Sequence, residues 1–238
     1  MKYFLKLYRD FILVIPLISH RSLCCSHNTV TTSKKPPRAP LIEVNLLKIA
    51  IIGKGNVGTA LGKGLSVKHE VKFGHRNPAE PVPDAAKWGE IIILAVPHEN
   101  ADDAITKVKP YADGKVVIDV MNAIGPKMEL GISCTTSTAE ETQKKLPKAR
   151  VVKAFNTVFA SNQNTGKIGK EQLTAFIAGD DSKAKLTVAQ LTRDIGFDPV
   201  DVGPLKAARF LDAMAIMIIN LAYSYNMGSK IGYRLVTG

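Results

Sequence analysis

The sequence is poor in cysteine, in aromatic residues and in the residue patterns that announce hydrolysis or metal chemistry. Its 238 residues hold three cysteines, Cys24, Cys25 and Cys134. An odd number without metal-ligand spacing argues against both a disulfide framework and a structural zinc site, and it fits a reducing, cytoplasmic compartment. Aromatics make up 6% of the chain. No Ser/His/Asp order, HExxH or paired carboxylates stand out, so any chemistry must come from elsewhere, as it does when a bound cofactor supplies it. The apolar stretch from Phe11 to Ser19 is broken by Pro16 and is far short of the roughly 20 residues that span a bilayer, so no membrane span is expected. There is no internal repeat.

Charge narrows the field further. The formal net charge is +11, but residues 1 to 45 carry seven basic and two acidic residues, which leaves 25 basic against 19 acidic residues for the remainder. That excess suits a polyanionic small molecule, and no lysine or arginine run in the body of the chain forms a nucleic-acid stripe. Residues 1 to 45 form a separate unit of disordered or targeting tail and linker. The start is basic and acid-poor, as in a transit peptide, and no small-x-small cleavage site follows the apolar stretch. Organelle targeting, export and a plain disordered tail stay open. Residues 31 to 40, rich in proline and lysine, read as linker.

From Leu46 the pattern changes to short apolar runs alternating with helical stretches, the pattern of a parallel sheet with crossover helices. The runs are Leu47 to Ile52, Val71 to Phe73, Glu90 to Val96, Lys115 to Val120, Arg150 to Ala154 and Thr174 to Ala178. Their unbroken hydrophobicity is that of strands buried on both faces. Helices are expected over Val57 to Val67, Asn100 to Val108, Ala139 to Leu146, Asp181 to Ile195 and Pro204 to Met227. The last is apolar nearly all round from Ala213 to Tyr223 and must be covered by the sheet domain or a second subunit. The expected fold is α/β, a Rossmann-type doubly wound parallel sheet over residues 46 to 200, with a small C-terminal helical portion over residues 201 to 238.

Gly53-Lys54-Gly55-Asn56-Val57-Gly58 follows the first strand and opens the first helix, where a GxGxxG pattern has a mechanism. Gly53 allows the tight turn, Gly55 the approach of a pyrophosphate, and Gly58 the close packing of helix on strand. The second strand ends in Gly74-His75-Arg76-Asn77, and no acid appears before Glu80. A carboxylate at that strand end would bind ribose hydroxyls, whereas an arginine accepts a 2'-phosphate. Arg76, aided by His75 or Asn77, therefore points to NADP(H). Two further strand ends complete the candidate site. Val96-Pro97-His98 offers small apolar surface and a histidine, and Asn156-Thr157 offers polar contacts that orient a ring.

These residues resemble the NADPH-dependent reductases of the deazaflavin coenzyme F-420. The resemblance rests on Ile49 to Gly58, Gly74 to Arg76, Val151 to Thr157, Ala178 to Asp181, Asp201 to Leu205 with Ala208-Arg209, and Asn226 to Gly228. It implies a homodimer that binds NADP(H) at Lys54, Val57, His75, Arg76, Val96, Val158 and Ala160. It further implies direct hydride transfer to a stacked deazaflavin, without an obligatory proton-shuttling residue. The stretch Lys153 to Thr157 is also similar to the cytosolic domain of the six-transmembrane metalloreductases, which use a flavin. The second substrate is thus coenzyme F-420, a flavin or a small carbonyl compound. For an acid substrate, Lys153 and Arg209 are the candidate anion-binding residues, and a non-catalytic nucleotide sensor is the alternative to an enzyme.

Overall fold

Ile49, Ala50, Ile51 and Ile52 are 0–1% exposed and form the body of strand β1 (Lys48–Ile52). A strand so buried belongs inside a sheet covered on both sides. The computed structural model describes residues 46–132 and 135–237, all within one compact unit, Glu43–Gly238. The tail of residues 1 to 45 and all three cysteines lie outside the described residues.

β1 pairs in parallel with β2 (Glu70–Gly74) on one side and β3 (Ile91–Leu94) on the other, Ile51 standing between Phe73 and Ile93. The sheet continues through β4 (Val116–Asp119), β5 (Arg150–Lys153), β8 (Thr174–Gly179) and β9 (Asp198–Asp201), in the order β2-β1-β3-β4-β5-β8-β9. Side chains of successive residues point to opposite faces, so each strand feeds two cores. Ala50, Ile52, Ile92, Leu94 and Val117 meet helices α2 (Val82–Trp88), α3 (Ala101–Val108) and α7 (Ala208–Tyr223). Ile49, Ile51, Ile91, Ile93 and Ile118 meet α1 (Asn56–Leu65) and α6 (Ser182–Ile195). The doubly wound architecture expected from the sequence is present.

The sheet departs from a purely parallel one at β8, which runs antiparallel to β5. The connection between them holds only the four-residue helix α5 (Ala160–Gln163) and the small hairpin β6 (Lys167–Ile168) and β7 (Glu171–Gln172). Such a connection has no helix long enough to cross back over the sheet, so β8 starts at the end where β5 stops. β9 and α2 had no counterpart in the sequence reading. β9 is the sheet edge, where proline is tolerated, and its sequence Asp198-Pro199-Val200-Asp201 carries little strand signal. α2 hides its pattern behind Pro81 and Pro83, and Lys115 Nζ closes its end by donating to the carbonyls of Ala86 (2.8 Å) and Gly89 (2.6 Å).

α4 (Thr138–Lys145) begins with Ser137, whose hydroxyl accepts from Glu140 N, and is tied to α7 by a bidentate Arg209–Glu140 pair at 2.9 and 2.7 Å. After α7 the chain returns across the sheet domain. Thr174 N donates to Tyr233 O (2.9 Å), and Tyr233 Oη donates to Met214 O (2.9 Å). No described helix is long and apolar enough to cross a membrane.

Candidate functional site

The three glycines of the loop do different work. Gly53 has φ +109°, and a Cβ there would lie 2.2 Å from Ala95 O, because the first loop and the end of β3 touch. A Cβ on Gly58 would meet Gly53 O at 2.1 Å, so α1 can start against β1 only without one. Around Gly55 there is nothing within 4 Å of such a Cβ. That open face is where a side chain would obstruct an approaching pyrophosphate. α1 starts at this point with no side-chain cap among the described residues, which leaves its first N–H groups to an anion. The order β2-β1-β3 places the loop at the point where the sheet reverses direction, the usual crevice for a nucleotide. The residues present thus fit a dinucleotide.

Two cavities flank the loop. The first, about 420 Å³, lies between the ends of β1, β2 and β3 and is lined by Gly53, Lys54, Gly55, His75, Arg76, Val96 and Pro97 together with Asn100. The second, about 600 Å³, runs from Lys54, Gly55 and Asn56 past Lys63 to Ala160, Phe159, Tyr223 and Ser229. Phe159 and Tyr223 form an edge-to-face pair with centroids 6.0 Å apart, and Ser229 O accepts from Asn162 Nδ2 at 3.2 Å. The C-terminal segment therefore forms part of this wall. Phe159, Tyr223, Ser229 and Lys63 went unnoticed in the sequence because they come from elements far apart in the chain.

At the end of β2 the structure brings in Glu80, the first acid after the strand in the sequence. The turn after Arg76 folds back, and Glu80 accepts from Lys54 Nζ at 2.8 and 2.9 Å and lies 2.5 Å from His75 Nε2. The hydrogen bonds from Lys54, and then from His75, hold its carboxyl below the usual carboxylate range. Lys54 also sits 5.3 Å from the centre of the Phe73 ring. Arg76 is exposed and donates to Asn100 Oδ1. Asn77 faces its own turn, its Oδ1 accepting from Ala79 N at 3.0 Å, and does not line the cavity.

The remaining expected residues sit deeper. Val57 and Val158 pack on the α1/α6 core, and Gly58 is buried. His98 is half-buried, and its Nδ1 has no hydrogen-bond partner among the described residues. Asn156 and Thr157 are 5% and 1% exposed and line neither of the two cavities. Asn156 Nδ2 donates to Leu211 O (3.0 Å) and Asn122 Oδ1 (3.1 Å), so it ties the end of β5 to α7, while its Oδ1 has no partner among the described residues. Phe155 before it has φ +63°, uncommon for a bulky residue, and is held by Gln163 Nε2, which donates to Phe155 O (3.1 Å) and Val158 O (3.0 Å).

Neither candidate for binding an acid substrate is available. Lys153 is 0% exposed and paired with Asp119 (3.1 Å) and Asp212 (2.8 Å), and Arg209 is taken by Glu140. Burial alone would lower Lys153, but the attraction of Asp119 and Asp212 outweighs it and raises the ammonium above its ordinary range. Among the described residues no group of three or more His, Cys, Asp or Glu could hold a metal.

The fold and its glycine loop define a class, the Rossmann-type dinucleotide-binding folds, and the comparisons find similarity to NADP oxidoreductases within it. The family profile "NADP oxidoreductase coenzyme F420-dependent" matches residues 77–123. The F420-dependent NADP reductase of Methanocaldococcus jannaschii is 31% identical over 154 residues, covering 60% of this chain and 66% of that protein. Metalloreductase STEAP3 of Rattus norvegicus is 29% identical over 222 residues, covering 86% of this chain and 41% of that one. The chain therefore spans about two fifths of the metalloreductase. A crystal structure of a candidate F420-dependent NADP-reductase from Arthrobacter sp. FB24 superposes with a TM-score of 0.75 at 25% identity, covering 80% of this chain and all of the other. The chain is thus similar to an F420-dependent NADP reductase and to part of the length of the metalloreductases.

Proposed function

We propose that this protein transfers hydride between NADP(H), held across the glycine loop, and a deazaflavin such as coenzyme F-420 or a flavin. The observation that carries the reading is the pair of cavities meeting at Lys54 and Gly55. One suits the adenosine half of the nucleotide, and the other gives room for a second ring system between Phe159, Tyr223 and the C-terminal segment. The nicotinamide would supply the hydride, a reaction that needs no acid or base from the protein.

The protein's part is to bind, to orient and to exclude water. The free N–H groups at the start of α1 receive the pyrophosphate, and Gly55 keeps that approach open. Arg76 and Lys54 supply positive charge to the 2'-phosphate. Val96 and Pro97 line the adenosine side with apolar surface. Proximity in a water-poor cleft then provides most of the acceleration. Asn156 and Val158 stand behind this surface and act by holding the end of β5 rather than by touching a ring.

A homodimer fits the same reading. Phe210 is 73% and Met217 51% exposed on the outward face of α7, beside a cavity of about 540 Å³ at Val202, Pro204 and Ala213. A second copy would cover that face, and a cytoplasmic location follows the use of NADP(H) with a soluble acceptor. Anaerobic mixing of the protein with NADPH and, separately, coenzyme F-420, FMN and FAD tests the function through loss of absorbance at 340 nm. Rapid oxidation with one acceptor supports it; tight NADPH binding with no turnover of any favours the sensor.

A further inference from the structure

Glu80 is paired with two residues, Lys54 and His75, that line the adenosine cavity, whose lining itself carries one carboxylate, Asp103. Both Glu80 oxygens accept from Lys54 Nζ, and Oε2 lies 2.5 Å from His75 Nε2. Asn77 N donates to His75 Nδ1 at 3.4 Å, which leaves the ring proton on Nε2, facing Glu80. Lysine and an imidazole N–H converging on one anionic group is the donor set that a phosphate takes. Arg76, next in the chain, is held aside by Asn100 on the lining of the same cavity.

We propose that Glu80 is a specificity-determining residue: its carboxylate stands in for the nucleotide 2'-phosphate in the free protein and is displaced when that phosphate binds. The inference rests on the NADP(H) reading above. A phosphate dianion drawn to Lys54 would meet the Glu80 carboxylate at contact distance, where the like charges repel. Glu80 can leave at small cost. Its side chain is 35% exposed, and the turn that carries it is closed by backbone bonds, His75 N to Glu80 O at 2.9 Å and Glu80 N to Asn77 O at 3.0 Å. Rotation of the side chain into water leaves those bonds intact. NADH brings no phosphate to this corner, so Glu80 stays paired when NADH binds. The carboxylate therefore opposes NADPH and not NADH, and it narrows the preference that Arg76 creates.

The test is a calorimetric titration of the full-length protein and its Glu80→Gln variant with NADPH, NADH and adenosine 2',5'-bisphosphate. The variant keeps the turn's backbone bonds, and unchanged thermal unfolding verifies its fold. It is expected to bind NADPH and the bisphosphate about three- to tenfold more tightly, the release of one exposed ion pair, with NADH affinity unchanged. Equal or weaker binding of the two 2'-phosphorylated ligands overturns the proposal, as does a loss of NADH affinity, which would make Glu80 a ribose ligand. A wild-type preference for NADH would defeat the cofactor reading as well; a wild-type preference for NADPH with an unresponsive variant defeats the role of Glu80 alone.

Discussion

Arg76 carries the cofactor assignment, and its replacement is the sharpest probe of a single side chain. Arg76→Ala should weaken NADPH binding by about 1–3 kcal/mol through loss of a charge-assisted pair, with little effect on NADH. Equal losses for both nucleotides would remove the basis of the assignment. Lys153 makes an opposite kind of prediction. It sits fully buried between Asp119 and Asp212, so Lys153→Met strands two buried carboxylates and should cost about 3–5 kcal/mol in urea unfolding. Asp194 supplies the pH dependence. Burial raises its pKa, but hydrogen bonds from Lys68, His69 and Gln190 outweigh that and leave it lowered. A carboxylate depressed in the folded state adds stability above its unfolded value of about 3.9 and loses it as pH falls through the folded value. The stability gap between wild type and Asp194→Asn should therefore hold at pH 5 to 7 and close below about pH 4; a gap that persists in acid contradicts the pairing. The placement of Gly53, Gly55 and Arg76 at the ends of β1 and β2 was legible in the sequence because a fixed spacing next to a strand sets it. Glu80 was not, since only the folding back of the turn at residues 77 to 81 brings it to Lys54.

At the scale of elements, the glycine loop offers a clean separation of fold from function. A Cβ at Gly55 meets nothing within 4 Å, so Gly55→Ala should unfold like wild type while losing nucleotide affinity at least about tenfold. If affinity survives, the open face of the loop is not where the pyrophosphate lies. The parallel strands announced themselves as unbroken apolar runs, and their centres agree with the structure to within a residue or two. The reversal at β8 was invisible, because a buried strand has the same composition whichever way it pairs. β9 and α2 were lost for a related reason. Pro199 and two aspartates are tolerable at a sheet edge, and prolines at the first turn of a short helix look like a loop.

For the whole molecule, α7 decides how much of the C-terminal portion is interior. Its inner face, with Leu211, Ala215, Ile218 and the paired Asp212, is buried against the sheet domain, while Phe210 and Met217 face outward. The all-round apolarity read from the sequence thus divides into a core side and a side that a second copy can cover. The division is not in the composition, since both sides are apolar. The second cavity, built from the phosphate loop, the start of α5, the end of α7 and Ser229, likewise exists only once distant segments meet. The most direct test of the account is a comparison of unlabelled and 4-deuterated NADPH in single-turnover oxidation with whichever acceptor reacts. Direct transfer between stacked rings predicts a primary isotope effect, with the rate falling severalfold for the transferred label. An isotope-insensitive rate set by a protein group that titrates, or no oxidation with any acceptor, would contradict it.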